Sequence, residues 1–372
     1  VQPLISPDVF ELDPMISDLR ELVEVESPSL VIDQLELSAA TLAAFIERHL
    51  GGECRLVASP AGPHVHWSGG GAPTVLILGH HDTVFPMGTL EKRPFTVTDG
   101  IATGPGVFDM LGGIVQAVHG LARLQHDGGD LGGVELLFSA DEEVGSAESR
   151  ELIEERALAC GNVLVLEPSA DGGSLKTGRK GCGTFEVIVG GRAAHAGLEP
   201  ENGVNALIEM AHQVMAISGF GDSNVGTTVT PTVAAAGTTD NTVPAEARIR
   251  VDVRVESADE KQRVESAMAA LTPVDPAASL TVLGQIGRPP MPESASSSLF
   301  PLAEAVSPGI VGLAVGGGSD GNFTAAIGVP TLDGLGAVGG GAHADTEHLV
   351  VDTMPARAAL IGNLVGAILT RG

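Results

Sequence analysis

Four apolar stretches in this chain each run into a residue of metal-ligand type. TVLILG leads into His80, His81 and Asp82, VELLFSA into Asp141, Glu142 and Glu143, NVLVL into Glu167, and a glycine-rich stretch into His343. Short, uniformly apolar runs are the mark of strands buried on both faces of a parallel sheet. Side chains at the carboxyl ends of such strands converge on one crevice, where open α/β sheets place their sites. Asp109, in the loop GPGVFD, joins this set. Two histidines and several carboxylates without cysteine are the donors of a hydrolytic zinc or manganese centre, not of a structural zinc knot.

The chain has 372 residues, which calls for two domains or for one domain with a large insertion. Up to about Lys176, helical stripes (Leu35, Leu42, Phe45, Ile46, Leu50; then Ile114, Val118, Leu121, Leu124) alternate with strand candidates at 74–78, 134–138 and 163–166. That is the βα alternation of a mostly parallel sheet. Between 180 and 288 the pattern changes to strands near 185–189, 226–235, 246–255 and 279–283, with helices near 204–215 and 259–271. The order βαββαβ is the ferredoxin-like split unit, and the strict alternation of Ile249, Val251, Val253 and Val255 with polar residues gives its sheet one wet face. The α/β pattern returns after Pro290. The expected organisation is an α/β catalytic domain in two parts, 1–179 and 289–372, with an inserted α+β domain at 180–288.

A net charge of −27 speaks against nucleic acid or an anionic membrane as partner, and no run of 18 apolar residues is present. Cys54, Cys160 and Cys182 stand in no C-x-x-C pair and are expected as reduced thiols. The first residues, VQPLISPDVFELDP, lack the basic-then-apolar order of a secretion signal. A cytoplasmic protein is expected, or an exported one whose signal has been removed.

His80 and Asp82, two apart on an extended strand end, share a face, so the histidine can ligate while the aspartate orients an imidazole. His81 points the other way and is expected to pack. A polar strand cap is the alternative, weakened by the neighbouring sites. Glu142 and Glu143 are read at the start of a helix, where adjacent carboxylates commonly just favour the helix dipole. Beside a metal, one can ligate and the other can take a proton from water. GGGSD at 316–320 and GPG at 104–106 fit neither phosphate-binding pattern, and Trp67 with ten Phe and no Tyr offers no stacking platform.

Over nearly its whole length the chain resembles the di-zinc exopeptidase and amidohydrolase family, which includes glutamate carboxypeptidases, aminoacylases, acetylornithine deacetylases and succinyl-diaminopimelate desuccinylases. The motifs that carry the resemblance are GHHDTV, GPGVFDMLGG, DEEVGS, LEPS, GGRAAHAG, NTVPAEARIRVDVR, GRPPM, GGGSDGNF and GAHADTEHL. The resemblance is strongest to the glutamate carboxypeptidase branch. It implies a di-zinc peptidase catalytic domain, with cobalt or manganese as substitutes for zinc, and a ferredoxin-like dimerisation domain. It implies His80, Asp109 and Glu167 on one metal, Asp109, Glu143 and His343 on the other, Glu142 as general base and acid, and Asp82 as the partner of His80. It further implies a homodimer in which His195 reaches the partner subunit's site, and a peptide or N-acyl amino acid held by Asn241 and Arg288, the arginine on its free carboxylate.

One departure is visible: Leu111 stands where many relatives carry lysine, which removes a charge expected near the site. Glu167, where dipeptidase relatives usually carry aspartate, favours the carboxypeptidase and deacylase branch. The rival readings are a deacylase of N-acyl amino acids, a di- or tripeptidase, and a catalytically dead binding homologue. Retention of both Glu142 and Glu143 weighs against the last.

Overall fold

The computed structural model describes residues 3–371. The chain divides into two compact units, one comprising Val1–Gly178, Pro292–Val315 and Ser319–Gly372, the other Arg179–Met291 with Gly316–Gly318.

The first unit is built on a six-stranded sheet whose strand order is Arg55–Val57, His64–Ser68, Val134–Ser139, Val75–His80, Val163–Val165, Thr331–Leu332. The last four are parallel and the first two antiparallel. Strand Val75–His80 lies in the middle and is buried throughout. Val75 and Ile77 enter one apolar cluster with helices Leu12–Val23, Ile32–Leu50, Gly112–His126 and Met354–Leu369, while Leu76 and Leu78 enter another with helix Arg150–Cys160. Covering on both faces is why these strands read as continuous apolar runs. A second sheet, antiparallel, orders Gly339–Gly340, His348–Val350, Ile101–Thr103 and Thr96–Thr98.

Two departures from the sequence reading concern the site. His343 follows strand Gly339–Gly340 of this antiparallel sheet, in a turn where its own φ is 62°, so it does not come from a parallel strand end. Glu142 and Glu143 open a 3-10 turn, Glu142–Val144, and the helix begins only at Arg150, so no helix dipole acts on them.

The second unit is a four-stranded antiparallel sheet in the order Thr228–Ala236, Glu246–Val255, Gly181–Gly190, Ser279–Arg288, with helices Ala206–Ser218 and Ala258–Ala269. Both helices carry N-caps that satisfy backbone donors: Asn205 accepts from Leu207 and Ile208, and Ser257 from Glu260. Phe185, Val187, Val189, Ile249, Val251 and Val253 form its core with Val264 and Met268. Strand Ser279–Arg288 runs past its apolar alternation, because main-chain pairing continues from Gln285 opposite Thr184, across a bulge, to Arg288 opposite Cys182. The three cysteines are free thiols. Among the described residues no helix is long and apolar enough to cross a membrane.

Candidate metal centre

The end of strand Val75–His80 delivers three consecutive polar side chains into different surroundings. His81, fully buried, donates through Nε2 to the Pro63 carbonyl (3.0 Å) and meets the Ser38 hydroxyl at Nδ1 (3.0 Å). Burial pushes its imidazole down to about 4, so it is a neutral packed group. His80 turns the other way and bonds the Asp82 carbonyl through Nδ1 at 2.9 Å. An Nδ1–H held by a carbonyl leaves the Nε2 lone pair for a cation.

His80 Nε2 stands 3.3 Å from Asp109 Oδ1 and 3.7 Å from Glu167 Oε1. His343 Nε2 stands 3.4 Å from Asp109 Oδ2 and 3.0 Å from Glu143 Oε2. Asp109 therefore presents one oxygen to each of two imidazole–carboxylate pairs. Within each of the sets His80, Asp109, Glu167 and Asp109, Glu143, His343, the ligand atoms lie within 4.8 Å of one another. Asp109 Oδ1 is buried and accepts no hydrogen bond. A buried, under-satisfied carboxylate oxygen among imidazole nitrogens fits a divalent cation, and the imidazole and carboxylate donors suit zinc, cobalt or manganese. The same charge excess pulls the His343 imidazole up to about 10, through its contacts with Asp109 and Glu143.

Asp82 is the tie between strand ends. Fully buried, its carboxylate accepts from the Ser29 hydroxyl (2.7 Å) and from the backbone N–H of Glu142 and of Glu143 (both 3.2 Å). Its Oδ1 lies 3.4 Å from His80 Nδ1, so the shorter contact to that ring is made by the Asp82 main chain and not by the carboxylate. Burial would raise its carboxyl, yet His80 and Ser29 hold it below its usual value. Asp141 faces elsewhere and accepts from the backbone of Glu148 and Ser149. Asp320, in GGGSD, accepts from the Ser139 and Ser146 hydroxyls, which makes that turn a brace for the DEEVGS segment.

Glu347 escaped the sequence reading. It is fully buried, and its two oxygens accept the backbone N–H of Gly106 (2.9 Å), Phe108 (3.1 Å) and Asp109 (2.9 Å). It thus holds the loop that carries Asp109, and burial, against those three bonds, pushes its carboxyl up to about 7. Its one sequence signal is an acid in the small-residue run GAHADTEHL. In the same loop Gly106 has φ 76°, and a Cβ there would meet Thr83 Cγ2 at 2.9 Å. Gly113 lets its helix approach the segment that carries Glu167, since a Cβ would lie 2.5 Å from the Leu166 carbonyl oxygen. Leu111 is buried in the apolar core. Trp67 is buried too, and donates to the Gly51 carbonyl at 2.8 Å.

The remaining candidates lie in the second unit. His195 and Asn241 sit on adjacent exposed turns, joined by Ala196 N–H to the Asn241 carbonyl and Val243 N–H to the Ala194 carbonyl, both at 2.9 Å. Gly197 N–H donates to His195 Nδ1 (3.1 Å), which leaves the neutral ring's proton on Nε2 as an outward donor. Arg288, at the end of its strand, is buried.

Residues 76–367 match the family described as Peptidase family M20/M25/M40. Carboxypeptidase G2 of Pseudomonas sp. (strain RS-16) is 34% identical over 314 residues, 80% of this chain and 74% of its own length. A tripeptidase from Staphylococcus aureus superposes with a TM-score of 0.77 at 18% identity, over 97% of this chain and 99% of that one. A Bacillus subtilis protein described as a dinuclear metal-binding peptidase superposes with a TM-score of 0.65 at 16% identity, over 96% and 98%.

Proposed function

The chain belongs to peptidase family M20/M25/M40 and is a metal-dependent hydrolase, and from that premise we propose that it cleaves an amide or peptide bond next to a free carboxylate, as a glutamate carboxypeptidase does. The observation that carries the reading is the two-sided Asp109, whose oxygens face separate imidazole–carboxylate pairs, with Glu142 next to one of them in sequence. His80, Asp109 and Glu167 would hold one zinc ion, and Asp109, Glu143 and His343 the second. When bound, such a pair of cations acidifies water and polarises the amide carbonyl.

The chain's own groups supply the rest. Glu142 takes a proton from the attacking water and returns it to the leaving nitrogen. Asp82 fixes the base by gripping the Glu142 and Glu143 amides, and its main chain fixes the His80 tautomer. His195 donates from Nε2 to the oxyanion. This role is assigned across a homodimer formed through the unit Arg179–Met291, a reading supported by the resemblance and by the place of strands Thr228–Ala236 and Ser279–Arg288 at the two sides of their sheet. Arg288 clasps the substrate carboxylate with two parallel hydrogen bonds, and Asn241 helps to hold the substrate.

A pair of N-acyl glutamates, one the free acid and the other its α-methyl ester, tests this in the zinc-loaded parent and in Arg288→Ala. The parent should prefer the acid by orders of magnitude in kcat/KM. The variant should lose about 2–5 kcal/mol on the acid and little on the ester. Equal rates on acid and ester in the parent overturn the carboxylate reading and favour a peptidase or deacylase with another specificity. Activity that survives chelation overturns the metal mechanism.

A further inference from the structure

A second group of metal-ligand residues lies in the same unit and shares no residue with the cluster around Asp109. Asp18 is on helix Leu12–Val23, His49 in the last turn of Ile32–Leu50, and His119 on Gly112–His126. Asp18 Oδ2 is 2.7 Å from His119 Nε2 and 3.0 Å from His49 Nε2, and the ligand atoms lie within 4.8 Å of one another. The two imidazole rings are 4.7 Å apart, centroid to centroid. We propose that Asp18, His49 and His119 form a separate binding site for one divalent transition-metal ion, which pins three helices together.

Two imidazoles and one carboxylate, with solvent for the fourth position, are the donor set of a borderline cation such as zinc, cobalt, nickel or copper. Calcium and magnesium would require more oxygen ligands. The surroundings orient this donor set. Arg48 donates to Asp18 Oδ1 at 3.0 Å while also gripping Glu21 at 2.8 Å, which turns Oδ2 toward both rings. The Phe45 ring meets His49 edge-on at 5.0 Å. Side-chain exposures of 23% for His49 and 13% for Asp18 and His119 leave a route for an ion and its water. Tetrahedral ligands at about 2.1 Å from zinc stand roughly 3.4 Å apart, so the oxygen–nitrogen separations need to open by only roughly 0.7 Å at His119 and roughly 0.4 Å at His49.

The same atoms can also close on themselves, each ring donating Nε2–H to Asp18 with no ion. The two states differ in metal content, and counting metal separates them. The full-length protein is stripped with chelator, titrated with Co2+, freed of loose ions by gel filtration and analysed for cobalt, with the d–d absorption read in parallel. His119→Asn and Asp18→Asn should each bind one equivalent less than the parent, whatever number the Asp109 cluster takes. Both should retain the parent's hydrolytic activity within about twofold and lose only part of the cobalt spectrum. Should His119→Asn fail to fold, as judged by circular dichroism, His49→Gln carries the same test. Equal cobalt content in the parent and in a folded variant overturns the site.

Discussion

The carboxylates and His80 around Asp109 and the two candidates His195 and Asn241 are held in opposite ways. Around Asp109 the groups other than the exposed His343 are buried or partly buried and fixed by hydrogen bonds: Asp82 by Ser29 and by the Glu142–Glu143 backbone, the Asp109 loop by Glu347, and His80 by the nearby Asp82 carbonyl. In the unit Arg179–Met291, His195 and Asn241 ride on exposed turns joined by main-chain hydrogen bonds. The strands differ in the same sense, buried on both faces in one unit and alternating in the other. Like-charged groups gathered for a cation must be fixed in advance against their mutual repulsion, and burial with cross-bonding does this. Groups that meet a substrate must be reachable.

If that contrast is functional, substitutions in the two units should fail differently. The largest effect is expected at the base: Glu142→Gln should slow turnover by roughly 10²–10⁴ with both cations retained. Metal analysis and steady-state rates on one preparation check it, and near-normal turnover removes Glu142 from that role. Next comes His195→Ala, which should cost about 10²–10³ in turnover with metal content unchanged. Mixing it with Glu142→Gln should restore part of the activity in hybrid dimers, whereas a fully active monomer in sedimentation refutes action across an interface. The smallest effect is expected from a brace: Glu347→Gln should lower stability by about 1–3 kcal/mol, because an amide placed against backbone N–H groups leaves donors unmatched. Denaturant midpoints measure this, and cation retention should fall with them. A variant with both at parent values would mean that the Asp109 loop holds itself.

Much of this molecule was legible in its sequence because burial on two faces and burial on one leave different patterns. The runs at 75–79 and 163–165 have no polar interruption and that at 134–138 has only Glu135, whereas the run at 246–255 alternates strictly. His80, Asp109, Glu167, His343 and the Glu142–Glu143 pair stand out by chemical type, the family resemblance singles out Glu143 as the ligand of that pair, and the structure brings His80, Asp109, Glu143, Glu167 and His343 together. What stayed hidden depends on backbone geometry and on distant partners. The left-handed turn of His343 and the 3-10 turn at Glu142 leave no period to read. Glu347 bonds a loop about 240 positions earlier, and nothing local marks it. The inward course of Leu111 likewise follows from packing and not from its neighbours in the chain.

The opposed placement of His80 and His81 also bears on what the segment tolerates. A strand sorts its residues by parity, so the HHD run is protected in its frame as much as in its letters. Deleting one residue between Val75 and Gly79 would keep both histidines and the aspartate, yet would exchange the inward-packed ring for the ligating one and turn the Asp82 carboxylate away from the Glu142 and Glu143 amides. Substitution libraries can explore this stretch one letter at a time. Length variation there is closed, and remodelling for new specificity belongs in the exposed turns around His195 and Asn241.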